Sequence, residues 1–170
     1  MLEYAYCSYT DNGSSAARRL LLSLLCRRFG EKKAGELYGC MYKNANGKPC
    51  LPAECGLFVS ISHTKGYAAA ALSDSDVGID IEILTPLTEK RIAILNRFFP
   101  TEDTEKAKAD PSGREFFRFW TRREAAFKAF ATLPFYTEDP VTSHNVITKE
   151  IVEKDGTSLI LSVACDGKNE

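Results

Sequence analysis

The pattern of apolar residues predicts an α+β fold, and three features carry that expectation. Strand-like segments follow one another over 57–62, 66–73 and 77–84 instead of alternating singly with helices. Helix-like segments then run together over 88–99, 101–109 and 113–131. Finally the chain returns to strand over 145–154 and 157–165, joined through Asp155-Gly156, a pair suited to a tight antiparallel hairpin.

Each element has a local cause. Residues 2–9 alternate enough for a strand, which Asp11-Asn12-Gly13-Ser14 then breaks while offering oxygens for a helix N-cap. The leucine-rich helix over 16–29 follows and is closed by Gly30. Residues 43–56 hold Asn44, Asn46, Gly47, Pro49, Pro52 and Gly56 and read as loop. Ser73-Asp74-Ser75-Asp76 turns the chain into the 77–84 strand. In the 113–131 helix, Phe116, Phe119, Trp120, Phe127 and Phe130 fall on one arc at about 100° per residue, which predicts the buried face.

Bulk properties set limits. A chain of 170 residues fits one domain, residues 1–170, able to bury about two thirds of its unfolded surface. No apolar run approaches the roughly 18 residues of a membrane span. The first residues show no basic-then-apolar leader, so the expected compartment is the cytoplasm. A net charge of −1 conceals an asymmetry: between Arg18 and Lys48 there are eight basic residues and two acidic ones. Such a stretch either solvates a helix face or attracts an anion, whether a nucleotide or an acidic protein. The six cysteines include no CxxC pair. A zinc site from Cys40, Cys50, Cys55 and His63 matches no familiar spacing, and reduced thiols are expected.

Two short stretches carry the chemistry. In Val77-Gly78-Ile79-Asp80-Ile81-Glu82, strand alternation points Asp80 and Glu82 to the same side. In the helix, Trp120, Glu124 and Lys128 stand at i, i+4 and i+8 and stack along one stripe. Three carboxylates and a lysine suit a hard cation and a phosphate-bearing substrate. The bland alternatives are a solvated strand face and a surface Glu–Lys pair. Ser60-Ile61-Ser62-His63-Thr64 adds a hydroxyl and a ring able to donate to phosphate, with no acid nearby to complete a catalytic triad. Gly47-Lys48-Pro49 lacks the spacing of a P-loop, yet Lys48 offers a point charge.

Taken in order, these segments resemble the Sfp-type 4′-phosphopantetheinyl transferases. The resemblance rests on Gly47-Lys48-Pro49, the Ser62-His63-Thr64 strand end, Gly78-Ile79-Asp80-Ile81-Glu82 and the helix from Phe117 to Lys128 containing Trp120, Glu124-Ala125-Ala126 and Lys128. Arg18-Arg19 and Arg97-Phe98-Phe99 extend it, so that it runs from about residue 2 to about residue 165. It implies two similar α+β halves, about 1–75 and 76–170, with antiparallel sheets and the site between them. It implies Mg²⁺-dependent transfer of phosphopantetheine from coenzyme A to a serine of an apo acyl or peptidyl carrier protein, releasing 3′,5′-ADP. Asp80, Glu82 and Glu124 would hold the metal. Lys128 would neutralise the phosphate and Glu124 take the serine proton, while Arg18, Arg19, Lys48, Ser62, His63 and Lys128 grip coenzyme A. The expected enzyme is a monomer with no nucleic-acid or membrane partner. This sequence departs from the family at Arg123, where a lysine is usual, and after Lys128, where Ala129 to Pro134 replace a Gly-x-Gly turn. A coenzyme A- or carrier-binding protein without transfer activity is one alternative. A metal-dependent phosphohydrolase is another.

Overall fold

The computed structural model describes residues 1–45, 47–130 and 145–166. Strand β1 (Leu2–Ser8) leads to helix α1 (Gly13–Phe29), capped by the Asn12 side chain, which accepts from Ser15 N at 3.0 Å. Gly30, at φ 76°, turns the chain directly into α2 (Glu31–Gly39). The short strands β2 (Tyr42–Lys43) and β3 (Pro49–Cys50) pair antiparallel, and a single 3-10 turn (Ala53–Cys55) precedes β4 (Phe58–Thr64) and β5 (Tyr67–Ser73). Next come β6 (Val77–Ile83), α3 (Glu89–Phe98), α4 (Thr101–Lys108), α5 (Arg114–Phe130), β7 (Asn145–Val152) and β8 (Ser158–Cys165).

The strands form two three-stranded antiparallel sheets with the same layout, β1-β5-β4 and β6-β8-β7. In each, the last strand takes the centre. The sheets pack face to face. Ala69 and Ala71 of the first meet Val77, Ile79, Ile81, Leu159, Leu161 and Val163 of the second, all buried. Each large aliphatic chain there contributes about 1.5–3 kcal/mol relative to exposure. The outer face of the first sheet, with Val59, Ala70 and Leu72, is covered by Leu21, Leu24 and Leu25 of α1 and Leu37 of α2. The outer face of the second is covered by α5, through Ala125, Ala126 and Ala129 beside Ala164, and through Phe116 and Phe117 beside Ile160. This is the α+β architecture with antiparallel sheets that the sequence led us to expect.

Some expectations shift. Helix α2 was not foreseen: it has nine residues, two internal or terminal glycines, and only Ala34 and Leu37 buried, too little periodicity to register. Strand β4 runs to Thr64, two residues beyond the expected end. The expected close of α5 at Ala131 lies outside the described residues. The buried face of α5 keeps part of the expected aromatic arc, with Phe116 buried and Phe119, Trp120 and Phe130 packed against the core, but it also takes in Phe117, Ala125, Ala126 and Ala129, while Phe127 is 38% exposed. Close approach is the reason. A Cβ on Gly78 of β6 would lie 1.9 Å from Ala125 O and 2.6 Å from Ala129 N, so only a glycine facing alanines lets α5 settle this near the strand.

This packing sets two opposite outcomes for a single methyl group. Gly78→Ala should destabilise by about 1–3 kcal/mol or more, because backbone must move. Gly35→Ala in α2, where nothing lies within 4 Å, should stabilise by about 0.5–1 kcal/mol. Urea denaturation of both variants checks this, and equal effects would contradict the packing described.

Candidate active site

Among the described residues strand β6 ends its sheet, so the outward row of its backbone groups has no strand partner there. Buried backbone groups need partners, and side chains supply them. Ser60 Oγ accepts from Ile79 N at 3.1 Å, Lys128 Nζ donates to Ile79 O at 3.1 Å, and Lys48 Nζ donates to Val77 O at 3.1 Å. Three segments distant in sequence are thereby drawn to one edge.

Strand β4 faces that edge. Its residues Ser60, Ser62 and Thr64 lie opposite Ala71, Ala69 and Tyr67 of β5, hence on the face turned to the second sheet. Ser62 Oγ donates to Asp80 Oδ1 at 2.8 Å, and Thr64 Oγ1 donates to Glu82 Oε2 at 3.0 Å. Lys128 completes the group, with Nζ 2.6 Å from Asp80 Oδ1 and 3.1 Å from Ser62 Oγ. Asp80 is 4% exposed, and among the described residues its Oδ2 has no hydrogen-bond partner.

A cleft of about 600 Å³ opens beside this network. Ser14 and Arg18 of α1, Tyr38 of α2, and Lys43 and Lys48 of the β2–β3 hairpin line one side; Ser60, Glu124, Phe127 and Lys128 line the other. Burial pushes the Lys48 ammonium below its ordinary value. Glu124 and Glu82 are both shifted up, first by burial and then by the Asp80 charge. Glu124 accepts no hydrogen bond among the described residues, and Arg18 has no partner among them.

Of the residues singled out in the sequence, Arg18, Lys48, Glu124 and Lys128 meet at this cleft, with Asp80 and Ser62 joined to it through Lys128. Glu82 is engaged by Thr64. Arg19 is turned away: about 100° further round α1, its guanidinium pairs with Asp11 at 3.0 Å. His63 lies on the opposite face of β4 from Ser62, paired with Ala68, and its ring packs over Gly13 at the start of α1. Strand alternation enforces that separation, since neighbours in a strand cannot share a face. The role of Ser60 at the β6 backbone and of Thr64 at the Glu82 carboxylate was missed, although hydroxyls at i, i+2 and i+4 of a strand were visible. The aromatic walls Tyr38 and Phe127 left no local signal.

The donor set fits a hard cation. An orphaned buried oxygen on Asp80 stands near two half-buried carboxylates that feel its charge, and oxygen-only donors suit Mg²⁺ or Ca²⁺ over zinc. Among the described residues, no three His, Cys, Asp or Glu side chains already converge on one point. The Lys128 ammonium occupies the Asp80 Oδ1 position instead.

Comparison with known proteins adds a lineage. Residues 76–166 match the family model described as the 4′-phosphopantetheinyl transferase superfamily. The chain is 33% identical over 86 residues to 4′-phosphopantetheinyl transferase psf-1 of Bacillus pumilus, covering 49% of this chain and 36% of that protein. It is 35% identical over 92 residues to 4′-phosphopantetheinyl transferase HetI of Nostoc, covering 50% and 38%. It is 33% identical over 116 residues to 4′-phosphopantetheinyl transferase AcpT of Salmonella typhi, covering 66% and 55%. The chain thus spans between about a third and about half of the length of these relatives.

The raised Glu124 value sets a pH dependence. A carboxyl whose folded value is raised contributes stability that is full below its unfolded value and is lost as pH rises through the folded one. Glu124→Gln abolishes that loss. The variant should therefore gain on the wild type as pH rises from about 4 to about 8, measured by urea denaturation without added metal. A wild type that outlasts the variant at the upper pH would show the carboxylate favourably held instead.

Proposed function

The chain belongs to the 4′-phosphopantetheinyl transferase superfamily, and on that footing we propose that it transfers 4′-phosphopantetheine from coenzyme A to a serine hydroxyl of an apo carrier protein. The reading extends to the Sfp-type branch, to an acyl or peptidyl carrier as acceptor, and to Mg²⁺ as cofactor. The whole chain acts as one domain, with 1–75 and 76–170 as its similar halves. The carrying observation is the cleft itself, where Arg18, Lys48 and Lys128 face one space bordered by Glu124 and backed by Asp80.

Phosphoryl transfer asks a protein for positioning and charge neutralisation more than for covalent chemistry. The serine oxygen forms a bond to the phosphorus next to pantetheine, and that phosphorus breaks its bond to the bridging oxygen, which leaves with 3′,5′-ADP. Arg18 and Lys48 bind the phosphates, and Lys128 offsets charge on the one that accepts the serine. Glu124 takes the serine proton, from its place on the border of the cleft. Asp80, Glu82 and Glu124 would hold Mg²⁺, which supplies Lewis-acid charge stabilisation at the pyrophosphate. Ser62 and His63 complete the proposed set, which Arg19 would join by leaving Asp11. His63, beside the N-terminal end of α1, faces a separate phosphate of coenzyme A. Ser62 acts through its bonds to Asp80 and Lys128. The same reading makes the protein a cytoplasmic monomer without nucleic-acid or membrane partners. Among the described residues, no helix is long and apolar enough to cross a membrane.

Incubation with coenzyme A, Mg²⁺ and apo carrier proteins, followed by mass measurement of the carrier, tests the proposal. A mass gain equal to one phosphopantetheine is expected. An unmodified carrier with retained coenzyme A binding would favour a binding protein, and cleaved coenzyme A without carrier modification would favour a hydrolase.

Two substitutions refine the roles. Asp80→Ala should lower kcat/KM by about 100-fold or more, because it removes a preorganised charge at the reacting centre. Lys48→Ala should mainly raise KM for coenzyme A, by about 10–100-fold, since a charge-assisted contact to an unchanging phosphate is worth about 1.5–3 kcal/mol. Steady-state kinetics at varied coenzyme A separates the two.

A further inference from the structure

We propose that Lys128 is the resident counter-ion of the carboxylate cluster, so that binding of a divalent cation and release of Lys128 from Asp80 are a single coupled event. The inference deepens the function proposed above and rests on its assignment of Asp80, Glu82 and Glu124 to a cation. It begins from a count of donors. An ammonium has three N–H groups. Those of Lys128 go to Asp80 Oδ1 at 2.6 Å, Ser62 Oγ at 3.1 Å and Ile79 O at 3.1 Å. None is left for a phosphate in this arrangement. Lys128 must give up at least one of them to serve a substrate.

Asp80 shows the complementary imbalance. Its Oδ1 accepts from both Ser62 and Lys128, while its buried Oδ2 accepts from nothing among the described residues. Ser62 has a single proton, already committed to Oδ1. One carboxylate oxygen is thus doubly held and the other stands open in a nearly dry place. A cation approaching Oδ2 would bring like charge close to the Lys128 ammonium, which is repelled in a poorly screened site.

The side chain has somewhere to go. Lys128 is 27% exposed and lines the cleft together with Glu124, one helical turn earlier on α5. Its unbranched stem lets the ammonium swing from Asp80 toward the cleft, where Lys48 and Arg18 already stand. A phosphate in the cleft offers the freed ammonium a new partner. Cation and phosphate substrate therefore help each other bind, and by linkage each raises the affinity of the other by the same factor.

Manganese alone is the probe, its binding to the ligand-free protein followed by electron paramagnetic resonance. Lys128→Met should bind Mn²⁺ about 10-fold tighter than wild type in the absence of coenzyme A, because the competing ammonium is gone. Coenzyme A should tighten Mn²⁺ binding to wild type by about 10-fold more than it tightens binding to Lys128→Met, whose remaining gain comes from the phosphates touching the ion directly. Lys128→Arg, which keeps a cation on Asp80, should retain wild-type behaviour. A measurement on the unaltered protein guards against a variant that fails to fold: acetic anhydride labelling read by mass spectrometry should find Lys128 more reactive with saturating Mn²⁺ than without. Mn²⁺ affinity that is equal or weaker in Lys128→Met overturns the inference, as does Lys128 reactivity indifferent to Mn²⁺, or no Mn²⁺ binding to either protein. Carrier modification alongside any of these would leave the transferase reading intact and remove only the counter-ion role. The expected Mn²⁺ coupling without carrier modification would do the reverse.

Discussion

The unpaired edge of β6 is the constraint from which the site follows. A sheet edge inside a protein must find donors and acceptors elsewhere, because each buried backbone group left bare costs about 1–3 kcal/mol. Here Ser60, Lys48 and Lys128 answer that need at Ile79 and Val77. Two of these three are cations, so closing the edge concentrates positive charge beside Asp80. Structural necessity and charge placement are the same set of bonds.

Small residues make the convergence possible. The β5 segment Ala68-Ala69-Ala70-Ala71 is fully buried, offering alanines both to α1 and to the second sheet. Each alanine yields less hydrophobic stabilisation than a leucine, at about 0.8 kcal/mol per buried CH₂. In exchange the layers lie close, and the larger chains around them fill the remainder. Gly78 against Ala125 and Ala129 does the same for α5. Without that approach, Glu124 and Lys128 would stand too far above β6 to reach Asp80 and Ile79.

Charge and burial then divide the labour among the carboxylates. Asp80, the most buried of the three, is held by a hydroxyl and an ammonium. Glu82 and Glu124 are only partly buried and are pushed toward the protonated form by burial and by Asp80. Like-charged groups around one position are unfavourable unless a cation offsets them. Lys128 fills that role in the structure, and this is why the lysine and the metal assignment cannot be considered apart.

Local pattern determined much of this protein. Alternation put Asp80 and Glu82 on one side of a strand, helical spacing put Glu124 and Lys128 on one side of a helix, and Asp155-Gly156 marked the closing hairpin. The sequence motifs also carried the superfamily, which the match over residues 76–166 bears out. Periodicity states which residues share a face, however, and not what that face meets. The bonds that build the site join residues far apart in the chain: Ser62 to Asp80 across 18 positions, Lys128 to Asp80 across 48 and Lys128 to Ser62 across 66. Only tertiary packing could decide that β4 lies along the edge of β6, that Ser62 bonds to Asp80 while His63 faces α1, and that Arg19 turns to Asp11 while Arg18 enters the cleft. The aromatic arc expected on α5 fails at Phe127 for the same reason. Phe116 is buried as the arc implies, but in the second half of the helix the closeness of β6 selects Ala125 and Ala129 over Phe127.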